Sequence, residues 1–252
     1  MSRDPAAGCH RRDWIRAALG GALTLASLNT RARPQPVPLA VGDNVNRRFV
    51  LPLLELIAEA AGIQWRIEWL PFTRVLLLAE QGRALGFGMT RTPARERVFG
   101  FSDPLFVNHI WCVARRERGL RVERLEDLDG LSVCLGRGVS LGAAFDEARA
   151  QQRFQVEAGG VDLQARSRML MAGRCDVLLT SHRSPDPWLI ERRLRHEMGL
   201  GPALEVLPKP LLADPVHMAV GLGSPLTGLL PQINKALVMR RRALRALVES
   251  DR

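Results

Sequence analysis

The strongest constraint in this sequence is an alternation of hydrophobic periods that runs through once and then starts again. Leu39 to Gly42 is a short apolar run, and Phe49 to Ala61 carries apolar residues at helical spacing up to a stop at Gly62. Ile63 to Leu70 then alternates, with Trp65, Ile67 and Trp69 on one face. Thr73 to Gln81 returns to the helical period and ends at Gly82, and Ala84 to Thr90 reads as a short buried strand. This βαβαβ order predicts a mostly parallel sheet with right-handed crossovers. After an apolar strand, Val107 to Ala114, and a charged stretch, Arg115 to Arg124, the pattern restarts. Leu131 to Leu135, Phe154 to Ala158 and Asp176 to Leu179 read as strands, with Ser140 to Gln152 and Leu163 to Ala172 as helices between them. Each series turns from a helix into a strand through a glycine, Gly82-Arg83-Ala84 first and Gly173-Arg174-Cys175-Asp176 second. Two similar α/β lobes side by side would make a cleft. From Pro208 the chain returns, with His217 to Leu222 as strand and Pro225 to Val248 as a closing helical region interrupted by Pro231. We therefore expect residues 34–110 to begin lobe 1, 111–206 to form lobe 2 and 207–252 to rejoin lobe 1.

Composition narrows the partners. The 252-residue chain is 46% hydrophobic and 25% charged, a globular balance, and no apolar run approaches the roughly 18 residues needed to span a bilayer. Its net charge of +10 favours acidic partners by steering without identifying them. Basic residues are spread along the chain and Tyr is absent, so nothing resembles an RNA-binding sheet or a recognition helix, and no nucleic-acid partner is expected. The amino terminus is more specific. His10-Arg11-Arg12-Asp13-Trp14-Ile15-Arg16 precedes the modestly apolar run Ala17 to Leu28 and a Pro-rich exit, which resembles a twin-arginine export signal over residues 1–33. A periplasmic location follows as an expectation. Cys9 lies before the apolar run, leaving Cys112, Cys134 and Cys175. We read these three as buried small hydrophobes, and Cys134 with Cys175 as the pair to expect should a disulfide form. No cysteine and histidine spacing suggests a metal, and no cofactor is expected.

The chemistry concentrates in Thr90-Arg-Thr-Pro-Ala-Arg95-Glu-Arg-Val-Phe-Gly-Phe-Ser-Asp-Pro104. Thr92 is a good N-cap, Pro93 suits the first helical position and Arg95 falls at the third, so a helix starts just after a strand ends. Free N–H groups and the helix dipole favour an anion there, and the Arg95 guanidinium adds a planar fork matched to a carboxylate. Thr90 can donate a hydroxyl to the same group. Arg91 and Arg97 read as a solvated face.

This run resembles the signature of the bacterial extracellular solute-binding proteins of family 3, the polar amino acid receptors of ABC importers. Pro71-Phe72-Thr73-Arg74, Leu125-Glu126-Asp127-Leu128-Asp129-Gly130-Leu131 and Gly173-Arg174-Cys175-Asp176 follow in the family order, so the resemblance spans most of residues 39 to 248. It implies a two-lobe type II periplasmic binding fold, each lobe a mostly parallel sheet flanked by helices, joined by a hinge of two crossings. It also implies a monomeric receptor, with no enzymatic activity, for a small carboxylate-bearing solute, read by an ABC permease or a sensor in the inner membrane. By position it assigns the ligand carboxylate to Arg95, assisted by Thr90 and the backbone near Gly88, and the second-lobe contacts to Gly138, Val139 and Ser140.

Three departures bear on the ligand. The position of the family's acidic residue for the ligand ammonium holds Ser181, so the ligand either lacks an amine or finds another partner such as Asp186. The amino-terminal ligand loop is cut to Asp43-Asn44-Val45-Asn46-Arg47-Arg48-Phe49, with Asn44 where a residue reading the ligand side chain is common. Leu85 stands where the first lobe's Gly-x-x-Asp would place its acid. The rival reading is a dehydratase on the same fold, for which Asp43, His182 and Asp186 are the candidate acids and bases. Phe72 and Trp111 read as core, and Arg240 to Arg245 as the solvated side of an amphipathic helix.

Overall fold

A computed structural model describes residues 35–159, 162–199 and 201–250. The predicted leader, residues 1–33, lies outside them. Strand β1 (Val37–Gly42) leads into α1 (Arg47–Ala61), which Asn46 caps by accepting the Arg48 amide at 3.1 Å and which ends at Gly62. Phe49, Leu53 and Ile57 follow at spacings of four and all are buried, which is the predicted apolar stripe. Then come β2 (Trp65–Leu70), α2 (Phe72–Glu80), β3 (Leu85–Thr90), the single turn α3 (Pro93–Glu96) and β4 (Phe99–Phe101). The long strand β5 (Phe106–Arg115) precedes β6 (Ser132–Cys134), α4 (Ala143–Ala150), β7 (Gln155–Glu157), α5 (Leu163–Met171), β8 (Val177–His182), α6 (Pro187–Met198) and β9 (Leu204–Val206). The chain closes with β10 (Leu212–Gly221), α7 (Leu230–Met239) and α8 (Arg241–Ser250).

All ten strands belong to one sheet, ordered β2-β1-β3-β10-β5-β8-β6-β7, with β4 on β10 and β9 on β5. The flanks are parallel: β1 pairs with β2 and β3 at one end, and β6 with β7 and β8 at the other. The middle is antiparallel. Strands β5 and β10 pair with each other over Phe106 to Ile110 and Leu212 to Val216, and each continues into a different half, β5 onto β8 and β10 onto β3. Two strands therefore carry the chain between halves, and the α/β expectation with its hinge of two crossings holds.

The core is divided the same way. One apolar cluster joins Leu39, Phe49, Leu53, Leu85 and Met218 to Ile233 and Leu237 of α7. A second joins Ile110, Cys112, Val133, Phe145, Phe154 and Val177. Gly82 and Gly173 take left-handed backbone at φ +67° and +70°, which glycine adopts without strain, so both restart turns fall where they were predicted.

Two expectations change. Cys134 and Cys175 form a disulfide, correcting the reading of three buried thiols. Cys134 ends β6 and Cys175 lies just before β8, the adjacent parallel strand, and the two cysteine Cα atoms are 5.7 Å apart. Cys112 remains a buried thiol, with burial pushing its pKa up to about 12. The helix expected from Ser140 starts at Ala143 with Gly142 as its cap, so Ser140 does not cap it. The closing region is divided beside Pro231 as expected, a 3-10 turn over Pro225–Leu229 giving way to α7, whose first turn holds Pro231 where its missing N–H costs nothing, and a second break comes at Arg240. Strand β9 and helix α6 were not anticipated.

Candidate functional site

The predicted capping geometry at Arg95 is present. Thr92 has extended backbone and its Oγ1 accepts the Arg95 amide at 3.3 Å, with Pro93 next in line. However, α3 is one turn of four residues, so it lacks the aligned peptides of a full dipole, and the charge at this point belongs to the Arg95 side chain. Arg91 and Arg97 are exposed, Arg91 pairing with Glu96.

The Arg95 guanidinium donates from Nη1 to the Thr90 carbonyl at 2.9 Å and from Nη2 to the Gly138 carbonyl at 3.2 Å. The first bond holds it against its own strand end, and the second reaches the opposite half. An arginine has five N–H donors, so three are left for another acceptor. Burial lowers the Arg95 pKa, while the charges of Asp146 and Asp214 raise it. Thr90, buried at the end of β3, has Oγ1 at 3.0 Å from the Ser140 carbonyl and 3.2 Å from Asp214 Oδ2. Ser140 is buried too; its hydroxyl donates to Asp146 and accepts the Gly142 amide at 3.3 Å. Gly88, at φ +86° on β3, has open space where a side chain would stand. Val139 closes the Gly136–Ser140 turn, donating to the Gly136 carbonyl at 3.2 Å.

The structure thus brings Arg95, Thr90, Gly138 and Ser140 together, with Val139 in the same turn and Gly88 two residues before Thr90. It does not bring in Asn44, which is exposed in the turn after β1, or Ser181, which is exposed on β8 opposite Ile110 with no hydrogen bond to the cluster. Asp186 is exposed and spent as the cap of α6, accepting the Trp188 amide at 2.9 Å. His182 is buried and its Nδ1 accepts the Ser184 amide at 2.9 Å, a structural bond that fixes the ring. Asp43 is exposed. The three candidate acids and bases therefore form no constellation. Trp111 is fully buried, as expected of core.

Sequence reasoning missed Asp214. It lies on β10 where that strand pairs with β5, and the residue is 6% exposed. Its Oδ1 has no hydrogen-bond partner. Burial pushes its pKa up to about 6, opposed by the Thr90 hydroxyl and the Arg95 charge. Nothing local marks it, because its contact with Thr90 spans 124 residues of sequence. A separate cavity of about 850 Å³, lined by Phe106, Arg183, Leu237, Arg241, Leu244 and Arg245 among others, lies at the α7–α8 side and contains none of this cluster. Among the described residues no group of histidine, cysteine or acidic side chains could hold a metal, and no helix is long and apolar enough to cross a membrane.

Comparison with known proteins agrees with this architecture. No protein-family model matches the chain. The arginine-binding extracellular protein ArtP of Bacillus subtilis is 29% identical over 122 residues, which is 48% of this chain and 45% of that protein, so the match spans less than half of that relative. A histidine kinase sensor domain similar to periplasmic binding proteins superposes with a TM-score of 0.68 at 18% identity, covering 87% of this chain and 97% of that one. An ancestral arginine-binding protein gives 0.68 at 19%, covering 86% and 98%. The GluR0 ligand-binding core from Nostoc punctiforme gives 0.65 at 18%, covering 85% and 98%. The fold is that of the periplasmic binding proteins, and these findings support the resemblance to family 3. ArtP and the ancestral protein are both described as arginine-binding proteins.

Proposed function

We propose that this chain is an exported receptor that captures a small carboxylate-bearing solute, an amino acid or related organic acid, between its two halves and presents the closed form to an ABC permease. The observation that carries the reading is Arg95. It is a half-buried guanidinium at a strand end, with donors to spare, already bonded to the backbone of the opposite half. A carboxylate held there would touch both halves, and such shared contacts favour the closed form over the open one. Thr90, the Gly88 backbone and the turn Gly138-Val139-Ser140 complete the grip. Asp214 is the group at hand for a ligand ammonium, since its unpartnered Oδ1 is the acceptor that Ser181 does not supply. Export by the twin-arginine-type leader, the lobe boundaries near residues 110 and 206, and a monomeric state belong to the same reading.

The test is a thermal-shift screen of amino acids, keto acids and dicarboxylates on the purified chain, because a ligand that binds only the folded state raises its melting temperature by mass action. A binding ligand should shift the parent and not Arg95→Ala, while the ligand-free variant melts within a few degrees of the parent. A variant that binds as well as the parent would remove Arg95 from the site.

A further inference from the structure

Arg166 is the other cation sunk beside the same turn. It lies on α5, four residues past the Asp162 cap, and is 8% exposed. Asp162 lends a favourable charge, but its Oδ1 is engaged by the Ala165 amide at 2.6 Å. The Arg166 side chain makes no hydrogen bond to any described residue, and its Nε is sealed from solvent without an acceptor. A guanidinium kept only for packing would be expected to sit among acceptors, since an unpaired buried charge is strongly destabilising. At Nε this one has given up water without gaining an acceptor, and the charge of Asp162 is its one compensation from the protein.

Its position indicates what could compensate. The guanidinium lies beside Gly136, where a Cβ would come within 3.5 Å of Nη1. Gly136 follows the carboxyl end of β6, the edge at which open α/β sheets hold their ligands. Two residues further on, the same turn gives its Gly138 carbonyl to Arg95 of the other half. Two guanidinium groups, one from each half, therefore flank a single five-residue turn, 136–140. Resting on the receptor reading above, we propose that Arg166 is a second anion-gripping residue and that the ligand carries two anionic groups, as a short dicarboxylate or an acidic amino acid does, one held by Arg95 and the other by Arg166. A basic amino acid would instead bring its cationic end to a buried cation, so the ligand class differs from that of the arginine-binding relatives.

The experiment compares calorimetric titrations of the full chain with succinate, L-aspartate, L-glutamate, acetate, L-alanine and L-arginine. The dicarboxylates should bind at least about tenfold more tightly than the monocarboxylates, one charge-assisted contact being worth that much. Arg166→Met, which keeps the bulk and removes the charge, should bring the two classes together while leaving monocarboxylate binding in place. Arg166→Lys should restore part of the gap. Succinate against L-aspartate separates an amine-free ligand from an amino acid, and either as the tighter binder upholds two anionic groups. If monocarboxylates or L-arginine bind as tightly as dicarboxylates, or if Arg166→Met leaves the ranking unchanged, the second-anion assignment is wrong although the receptor reading stands. If Arg95→Ala binds every compound like the parent, the receptor site itself is misplaced, and this inference falls with it.

Discussion

Asp214 and Thr90 set up a proton-counting problem at the junction of the two halves. Thr90 has one hydroxyl proton and two acceptors in reach, the Ser140 carbonyl and Asp214 Oδ2. When Asp214 is protonated it can donate to Thr90, which then donates to Ser140, and both contacts of Thr90 are served without a buried charge. When Asp214 is ionised one acceptor goes short and a charge stays buried. Its folded pKa of about 6 lies above the ordinary 3.8, so between those values the folded state holds more protons than the unfolded one. Stability from this residue is therefore complete below about pH 4, falls as the pH rises through about 6, and is level above. Asp214→Asn keeps an acceptor for Thr90 and removes the charge. Urea titrations should find it more stable than the parent at pH 7.5, by up to about 3 kcal/mol, with the difference gone near pH 4. A constant difference at both pH values would mean that Asp214 does not titrate in this window. If it also receives a ligand ammonium, the same variant should bind amino acids more weakly while sparing amine-free acids.

What the sequence discloses at the scale of elements follows from distance along the chain. The alternation of periods located both parallel flanks, and the Thr-Pro start located Arg95, because each is a pattern within a few neighbours. The helix read from Ser140 starts three residues later, because Gly142 is its cap and the serine hydroxyl serves Asp146. Asp214 and Arg166 sit inside an ordinary strand and an ordinary helix, and only the pairing of distant elements gives them meaning. The disulfide is a similar case, since its likelier partners were apparent but its formation depends on β6 and β8 being neighbours. Asp176 reinforces that junction, accepting both the amide and the hydroxyl of Ser132 at 3.0 and 2.8 Å, with its pKa lowered chiefly by the Ser132 backbone bond. Cross-linking cysteines 41 residues apart removes unfolded-state entropy worth about 4 kcal/mol. The double variant Cys134→Ala with Cys175→Ala should therefore unfold at lower urea, whereas Cys112→Ala, also buried, should lose only what its small cavity costs, about 1 kcal/mol. Adding a reductant should lower the parent towards the double variant and leave the double variant unmoved. Equal urea midpoints for parent and double variant would show that the bond carries no stability.

For the whole molecule, the decisive contact is the turn 136–140 against the first half. Gly138 is at φ +75°, and a Cβ there would come within 3.2 Å of Leu76 Cδ1 and 3.4 Å of Thr73 Cγ2, both on α2. Its carbonyl takes the Arg95 Nη2 bond, and two residues later the Ser140 carbonyl lies within reach of Thr90. The two halves thus approach through glycine backbone, and a branched side chain at this point has both a strained conformation and no room. In the open form the turn faces water and the steric part of that cost disappears, so Gly138→Val should act chiefly on the equilibrium between forms. A ligand that uses both halves must then supply the extra closing energy, which weakens its apparent affinity by the same factor. We expect Gly138→Val to bind the best ligand of the parent at least about tenfold more weakly and to show little ligand-induced fall in radius of gyration by small-angle scattering. Arg137→Ala, one residue away and exposed, serves as the control and should compact like the parent. If Gly138→Val compacts fully and binds as the parent does, then the contact at Gly138 is incidental and closure is governed elsewhere on the hinge.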